Sequence, residues 1–147
     1  MFKRILVPLD GSILSEAVLP HAQNLARALD VEIVLLHVDV SPAPVFDPHT
    51  PPLSPPEEIK KMHADEKIYI KNICSKLESE GVRATYLLRE GPVAETIMEV
   101  AEIMQADMIA MSTHGRTGML RLLLGSVAEQ VVHRSHIPVT LIRPILD

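Results

Sequence analysis

Between Met111 and Val127 the chain sets small and polar residues at spacings suited to holding an anion. Ser112, Thr113, His114, Gly115, Arg116, Thr117 and Gly118 run together, and nine residues separate Gly115 from Gly125-Ser126-Val127. Glycine at 115 and 125 lets the backbone approach a ligand closely. A helix opening near Gly125-Ser126 turns its first amides, with a serine hydroxyl beside them, toward phosphate oxygens. Its dipole favours a negative charge there by about 0.3–1 kcal/mol. A second polar cluster, Asp10-Gly11-Ser12, closes the first apolar run of the chain. It serves equally as a strand-to-helix turn with Ser12 as the N-cap.

Other phosphate and metal motifs are missing. Nothing matches G-x-x-x-x-G-K-S/T, and no lysine follows Lys76, which leaves Arg116 and Arg121 as the cations near the glycine turns. Asp10-Gly11-Ser12 stands without the G-x-G-x-x-G of dinucleotide sites. The seven histidines show neither H-x-x-x-H nor H-E-x-x-H spacing, so no zinc site is expected of them. The single cysteine, Cys74, cannot form an internal disulfide or a thiolate cage. Ile73 and Leu77 beside it mark a buried thiol in a reducing compartment.

The elements that must position these residues alternate strictly. Lys3–Leu9 is a β-branched and leucine-rich strand, followed by helical spacing at Leu14, Val18, Ala22, Leu25 and Leu29. Val31–Val38 is nearly continuous in apolar residues, as strands covered on both faces are. Seven of the twelve prolines fall in the insertion 41–56, which favours an extended path. Ser54-Pro55-Pro56-Glu57 then caps a long helix stopped by Gly81, with Ile59, Met62, Ile68 or Tyr69, Ile73 and Leu77 as its buried face. A third strand at Val82–Leu88, a helix through Val93, Ile97, Val100 or Ala101, and Met104, a fourth strand at Asp107–Met111, a helix from Gly125-Ser126 and a fifth strand at Val139–Ile142 complete the order. Such alternation implies right-handed crossovers, one parallel sheet with helices on both faces, and a ligand site beyond the carboxyl ends of the strands. The strand ends carry Asp10, then Val38 and Asp39, then Arg89 and Glu90, then Ser112 to Gly115.

Composition narrows the ligand. The chain has 147 residues, 47% of them hydrophobic, enough for one self-supporting core. A net charge of -5 and an aromatic content of 3% disfavour nucleic acid, which asks for a basic face and stacking platforms. The apolar run Val31–Val38 is interrupted by Glu32 and His37 and falls well short of the roughly 18 residues a membrane helix needs. A cytoplasmic protein without membrane or nucleic-acid partners is expected. Met119-Leu120-Arg121-Leu122-Leu123-Leu124 is too apolar for an uncovered loop and should cap a pocket or meet a partner.

Four stretches carry a resemblance to a known family: Arg4 to Ser12, Thr113 to Gly118, Leu122 to Glu129, and Pro138 to Ile142. Over nearly its whole length the chain resembles the universal stress protein family, and within it the ATP-binding subgroup. That subgroup carries Gly, two residues, Gly, nine residues, then Gly with Ser or Thr. Gly115 and Gly125-Ser126 fit the second part, and Ser112 replaces the first glycine. The resemblance implies one domain over 1–147, a three-layer α/β/α sandwich of Rossmann-like, adenine nucleotide alpha hydrolase-like type with sheet order 3-2-1-4-5. It implies ATP as ligand, with Mg2+. Pro8, Leu9 and Asp10 would line the nucleotide site, Asp10 near the ribose or the metal ion, and Val38 would meet adenine through its backbone. Met111, Ser112, His114 and Gly115 would border the ribose and phosphates, with Arg116 beside them, and Gly125, Ser126 and Val127 would bind the phosphate chain. A homodimer through the last strand, 139–142, is also implied.

The function expected is a stress-response or regulatory protein acting through nucleotide occupancy. Hydrolysis would be slow at most, because Asp10 and His114 are the only general-base candidates near the phosphates. The alternative is a dimeric partner-binding module of the same family that holds no nucleotide, the reading to which Ser112 points. A phosphoacceptor receiver domain would need an aspartate after the third strand and a lysine after the fifth. Arg89-Glu90 and Arg143-Pro144 stand there instead.

Overall fold

The computed structural model describes residues 1–40, 48–49, 56–116 and 123–145. The proline-rich insertion, apart from 48–49 and Pro56, and most of the apolar stretch 119–124 lie outside the described residues. Five strands, β1 (Arg4–Pro8), β2 (Glu32–Asp39), β3 (Ala84–Glu90), β4 (Met108–Ser112) and β5 (Val139–Ile142), form one parallel sheet in the order β3-β2-β1-β4-β5. This is the order 3-2-1-4-5 expected.

The period-two alternation of the strands builds two cores. Ile5, Val7 and Leu9 of β1 and its extension, with Ile33 and Leu35 of β2, face α2 (Leu19–Leu29) and α3 (Pro56–Ser79). Leu6, Val34, Leu36 and Val38 point the other way, against α4 (Val93–Ile103) and α5 (Ser126–Arg134). Adjacent residues thus serve opposite layers, which is why β2 is apolar at nearly every position. The winding reverses between β1 and β4, and the crevice opens where those two strands end.

Two helices depart from the sequence reading. The first is broken into α1 (Ile13–Glu16) and α2, because Pro20 in the first turn of α2 has no N–H to continue a helix from Glu16. In α3 the buried face is Ile70, Cys74 and Leu77, with Tyr69 and Ile73 partly covered, whereas Met62 and Ile68 are exposed. The stripe runs one position further along than apolar spacing alone suggested, and this turns His63 and Glu66 toward the sheet ends.

Candidate functional site

The carboxyl ends of β1, β2 and β4 and the start of α5 enclose a cavity of about 270 Å³. All twelve residues named from the sequence, Pro8, Leu9, Asp10, Val38, Met111, Ser112, His114, Gly115, Arg116, Gly125, Ser126 and Val127, line it. Val38, Val93, Ile97 and Met111 supply an apolar side, and Asp10, Gly115, Arg116, Gly125 and Ser126 a polar one.

Asp10 organises the polar side. Its Oδ1 accepts hydrogen bonds from the N–H and the hydroxyl of Ser12, at 2.9 and 2.5 Å. Oδ2 accepts the Arg116 N–H at 2.6 Å, and the Arg116 guanidinium donates to the Asp10 carbonyl at 2.5 Å. Burial works against the charged carboxylate, but the donors of Ser12, Arg116 and Ser15 outweigh it and hold the pKa below the ordinary aspartate value. Ser12 serves in addition as the N-cap of α1, its hydroxyl accepting from the Ser15 N–H at 3.1 Å. Gly11 between them has φ +89°, a left-handed conformation in which glycine carries no Cβ penalty.

The two glycine turns after β4 are needed for space. Neither has a left-handed backbone, but a Cβ on Gly115 would stand 2.1 Å from Asp10 Oδ2, and one on Gly125 would stand 2.9 Å from the Thr113 carbonyl oxygen. That carbonyl accepts the Gly125 N–H at 2.7 Å, which fastens the start of α5 to the exit of β4. A Gly125→Val substitution would therefore strain this junction as well as crowd the cavity. Gly125 is the N-cap of α5 and offers no side-chain oxygen to the first-turn amides, which have no acceptor within the helix.

Ser112 is buried with its hydroxyl turned onto its own loop, donating to the His114 carbonyl at 2.8 Å and lying 3.3 Å from the His114 N–H. His114 is buried too, its Nδ1 2.8 Å from Thr113 Oγ1. Five further polar residues reach the cavity wall: Thr113, Ser15, His37, Asp39 and Glu66. Buried His37 holds its Nδ1 2.9 Å from the Leu9 carbonyl, with Nε2 3.6 Å from Glu66 on α3. The alternation of His37 and Asp39 around Val38 at a strand end was a signal for these two. Glu66 had none, because only the packing of α3 brings it there.

Known proteins share both the sequence and this architecture. The universal stress protein family model matches residues 1–143. The chain is 38% identical to the universal stress protein MJ0531 of Methanocaldococcus jannaschii, over 97% of this chain and 83% of that one. The solved structure of MJ0577, a universal stress protein of the same organism, is similar with a TM-score of 0.81 and 29% identity, covering 100% of this chain and 99% of that one. A universal stress protein family protein of Arabidopsis thaliana with AMP bound shares the fold at a TM-score of 0.63 and 20% identity, covering 99% and 93%. With sequence, strand order and chain length in agreement, the chain belongs to the universal stress protein family.

Proposed function

We propose that this chain binds an adenine nucleotide, ATP foremost, in the cavity at the ends of β1, β2 and β4, and that occupancy rather than turnover is its output in a stress response. The observation that carries this reading is the pairing, in one cavity, of an apolar side at Val38, Ile97 and Met111 with the amide-rich turns at Gly115 and Gly125. The first side suits a base and the second a phosphate chain held by backbone amides at a helix start. That a family member of the same fold carries AMP supports it. Ser112 in place of the motif glycine is compatible with the reading, because its hydroxyl bonds within its own loop, to the His114 carbonyl and N–H, while the first-turn amides of α5 have no acceptor within the helix.

Asp10 stays ionised, as a ligand to Mg2+ must. Three protein donors already occupy much of its roughly four-site acceptor capacity. It therefore suits an ion that arrives with the triphosphate and keeps most of its waters. The same hydrogen bonds, and the burial of His114 against Thr113, leave neither residue well placed as a general base, consistent with slow hydrolysis at most.

β5 forms one edge of the sheet, and half-buried Val139 to Ile142 offer that edge to a second copy. We place the homodimer there, and light scattering should report twice the chain mass. No helix among the described residues is long and apolar enough to cross a membrane.

Calorimetric titration with ATP, AMP and a cyclic nucleotide, with and without Mg2+, tests the main proposal. One binding event per chain is expected with ATP. Absence of heat and of any thermal shift with all three would sink it and leave the partner-binding module.

A further inference from the structure

Beside the cavity, on the face covered by α3, three side chains from distant parts of the chain converge. Asp39 ends β2, Glu90 ends β3, and the parallel register sets them directly side by side. Odd-numbered β2 residues and their β3 partners face α3, so both carboxylates leave the sheet on that side, continuing the line of Leu35 with Tyr86 and His37 with Leu88. His63 of α3 comes down on the pair, its Nε2 2.8 Å from Asp39 Oδ2 and 3.6 Å from Glu90 Oε1. The three donor atoms lie within 4.8 Å of one another.

We propose that Asp39, His63 and Glu90 form a binding site for a first-row divalent transition-metal ion of the Zn2+ class. The distances argue for it. Metal bonds of about 2.1 Å to nitrogen and oxygen place neighbouring donors about 3.0 Å apart at a right angle and about 3.4 Å apart in a tetrahedron. The two separations from His63, 2.8 and 3.6 Å, bracket those edges, and the Asp39 and Glu90 oxygens lie within 4.8 Å of each other. The charges argue for it independently. Strand register sets Asp39 and Glu90 side by side on one face, so a divalent cation between their carboxylates would neutralise both while the His63 imidazole supplies the third ligand. One nitrogen and two oxygens form a hard-to-borderline set, which selects Zn2+, Co2+ or Mn2+ over thiophilic ions.

The structure also provides rigidity and access. Asp39 is largely buried and takes the Gly91 N–H on its carbonyl at 3.2 Å, whereas the Glu90 side chain is 72% exposed and can close on an arriving ion. Three protein ligands leave positions for water. The bound ion clamps α3 to the ends of β2 and β3, and through Asp39 it adjoins the cavity wall.

The test is titration of chelator-stripped, tag-free protein with ZnCl2 and separately with CoCl2, in the absence of nucleotide. One equivalent should bind, and both His63→Ala and Glu90→Gln should weaken it at least about tenfold. His133→Ala, on the far helix α5, should leave it unchanged. The Co2+ form should show a visible absorption band that disappears in His63→Ala. Far-UV circular dichroism of the metal-free variants checks the fold, and exposed Glu90→Gln carries the test should His63→Ala not fold. No uptake by the parent chain, uptake unaltered in both cluster variants, or uptake lost in His133→Ala instead would each overturn the proposal. None of these readouts depends on nucleotide, so failure here and failure of ATP binding are told apart.

Discussion

The α-carbon of Gly115 lies so close to the carboxylate of Asp10 that a Cβ there would stand 2.1 Å from Oδ2. The same oxygen accepts the Arg116 N–H. The β4 exit loop is therefore seated on the end of β1 by one carboxylate, and glycine is what permits the seating.

Gly115→Ala should force the Asp10 carboxylate to rotate away and give up the Arg116 bond, costing about 1–3 kcal/mol of stability as overpacking does. In an Asp10→Ala background the obstacle is gone. The double variant should then be more stable than the sum of the single losses allows, by about 0.5–3 kcal/mol in a urea-denaturation cycle. Strict additivity would show that the two residues do not meet in solution.

Acid should weaken this seating in a defined direction. The folded-state pKa of Asp10 is depressed, chiefly by the Ser12 and Arg116 donors working against burial. Its contribution is thus fully present above the unfolded value of about 3.9 and is lost as pH falls through the lower folded value. Asp10→Asn should be less stable than the parent chain near neutrality, and the difference should shrink on going below about pH 4. A difference independent of pH would contradict the assigned hydrogen bonds.

For the phosphate end of the cavity, Ser126→Ala is a cleaner probe than any change at Gly125. Its hydroxyl is expected to donate to a phosphate oxygen, so ATP affinity should fall about three- to tenfold while the melting temperature of the free protein holds. Gly125→Ala, by contrast, should lower both, because its Cβ meets the Thr113 carbonyl. Unchanged affinity in Ser126→Ala would move the phosphates elsewhere.

Cys74 should be inert in the native protein. Burial, followed by the hydrogen bond to Glu78 and that residue's charge, pushes its thiol up to about 11. Near pH 8 only about one molecule in a thousand carries the reactive thiolate. A disulfide reagent should modify the native chain orders of magnitude more slowly than the urea-unfolded chain, and comparable rates would refute the burial.

Much of the fold was legible because its signals are local. Apolar runs of strand length, each followed by a helical period, dictate alternation, and alternation with right-handed crossovers leaves a parallel sheet whose ligand crevice lies at the strand ends. The strands observed keep within about two residues of those expected, a shift ordinary at element ends. Where local spacing was misleading, another local rule prevailed: Pro20 split the first helix. The buried stripe of α3 is different, since four or five apolar positions fit two adjacent stripes and only contact with the sheet selects Ile70 and Cys74.

Local signals along the chain already send Asp10, Val38, Ser112 to Arg116 and Gly125 to Val127 to one crevice, because each follows or opens an element at the same end of the sheet. What each does there depends on long-range packing. Gly115 is small on account of Asp10, Gly125 on account of Thr113, and the Ser112 hydroxyl is committed to the loop it leaves. The same packing brought His63 onto Asp39 and Glu90. Those three residues share no motif spacing. Their meeting follows from strand register and from the face α3 presents to the sheet, both of which are set by packing between segments far apart in the chain.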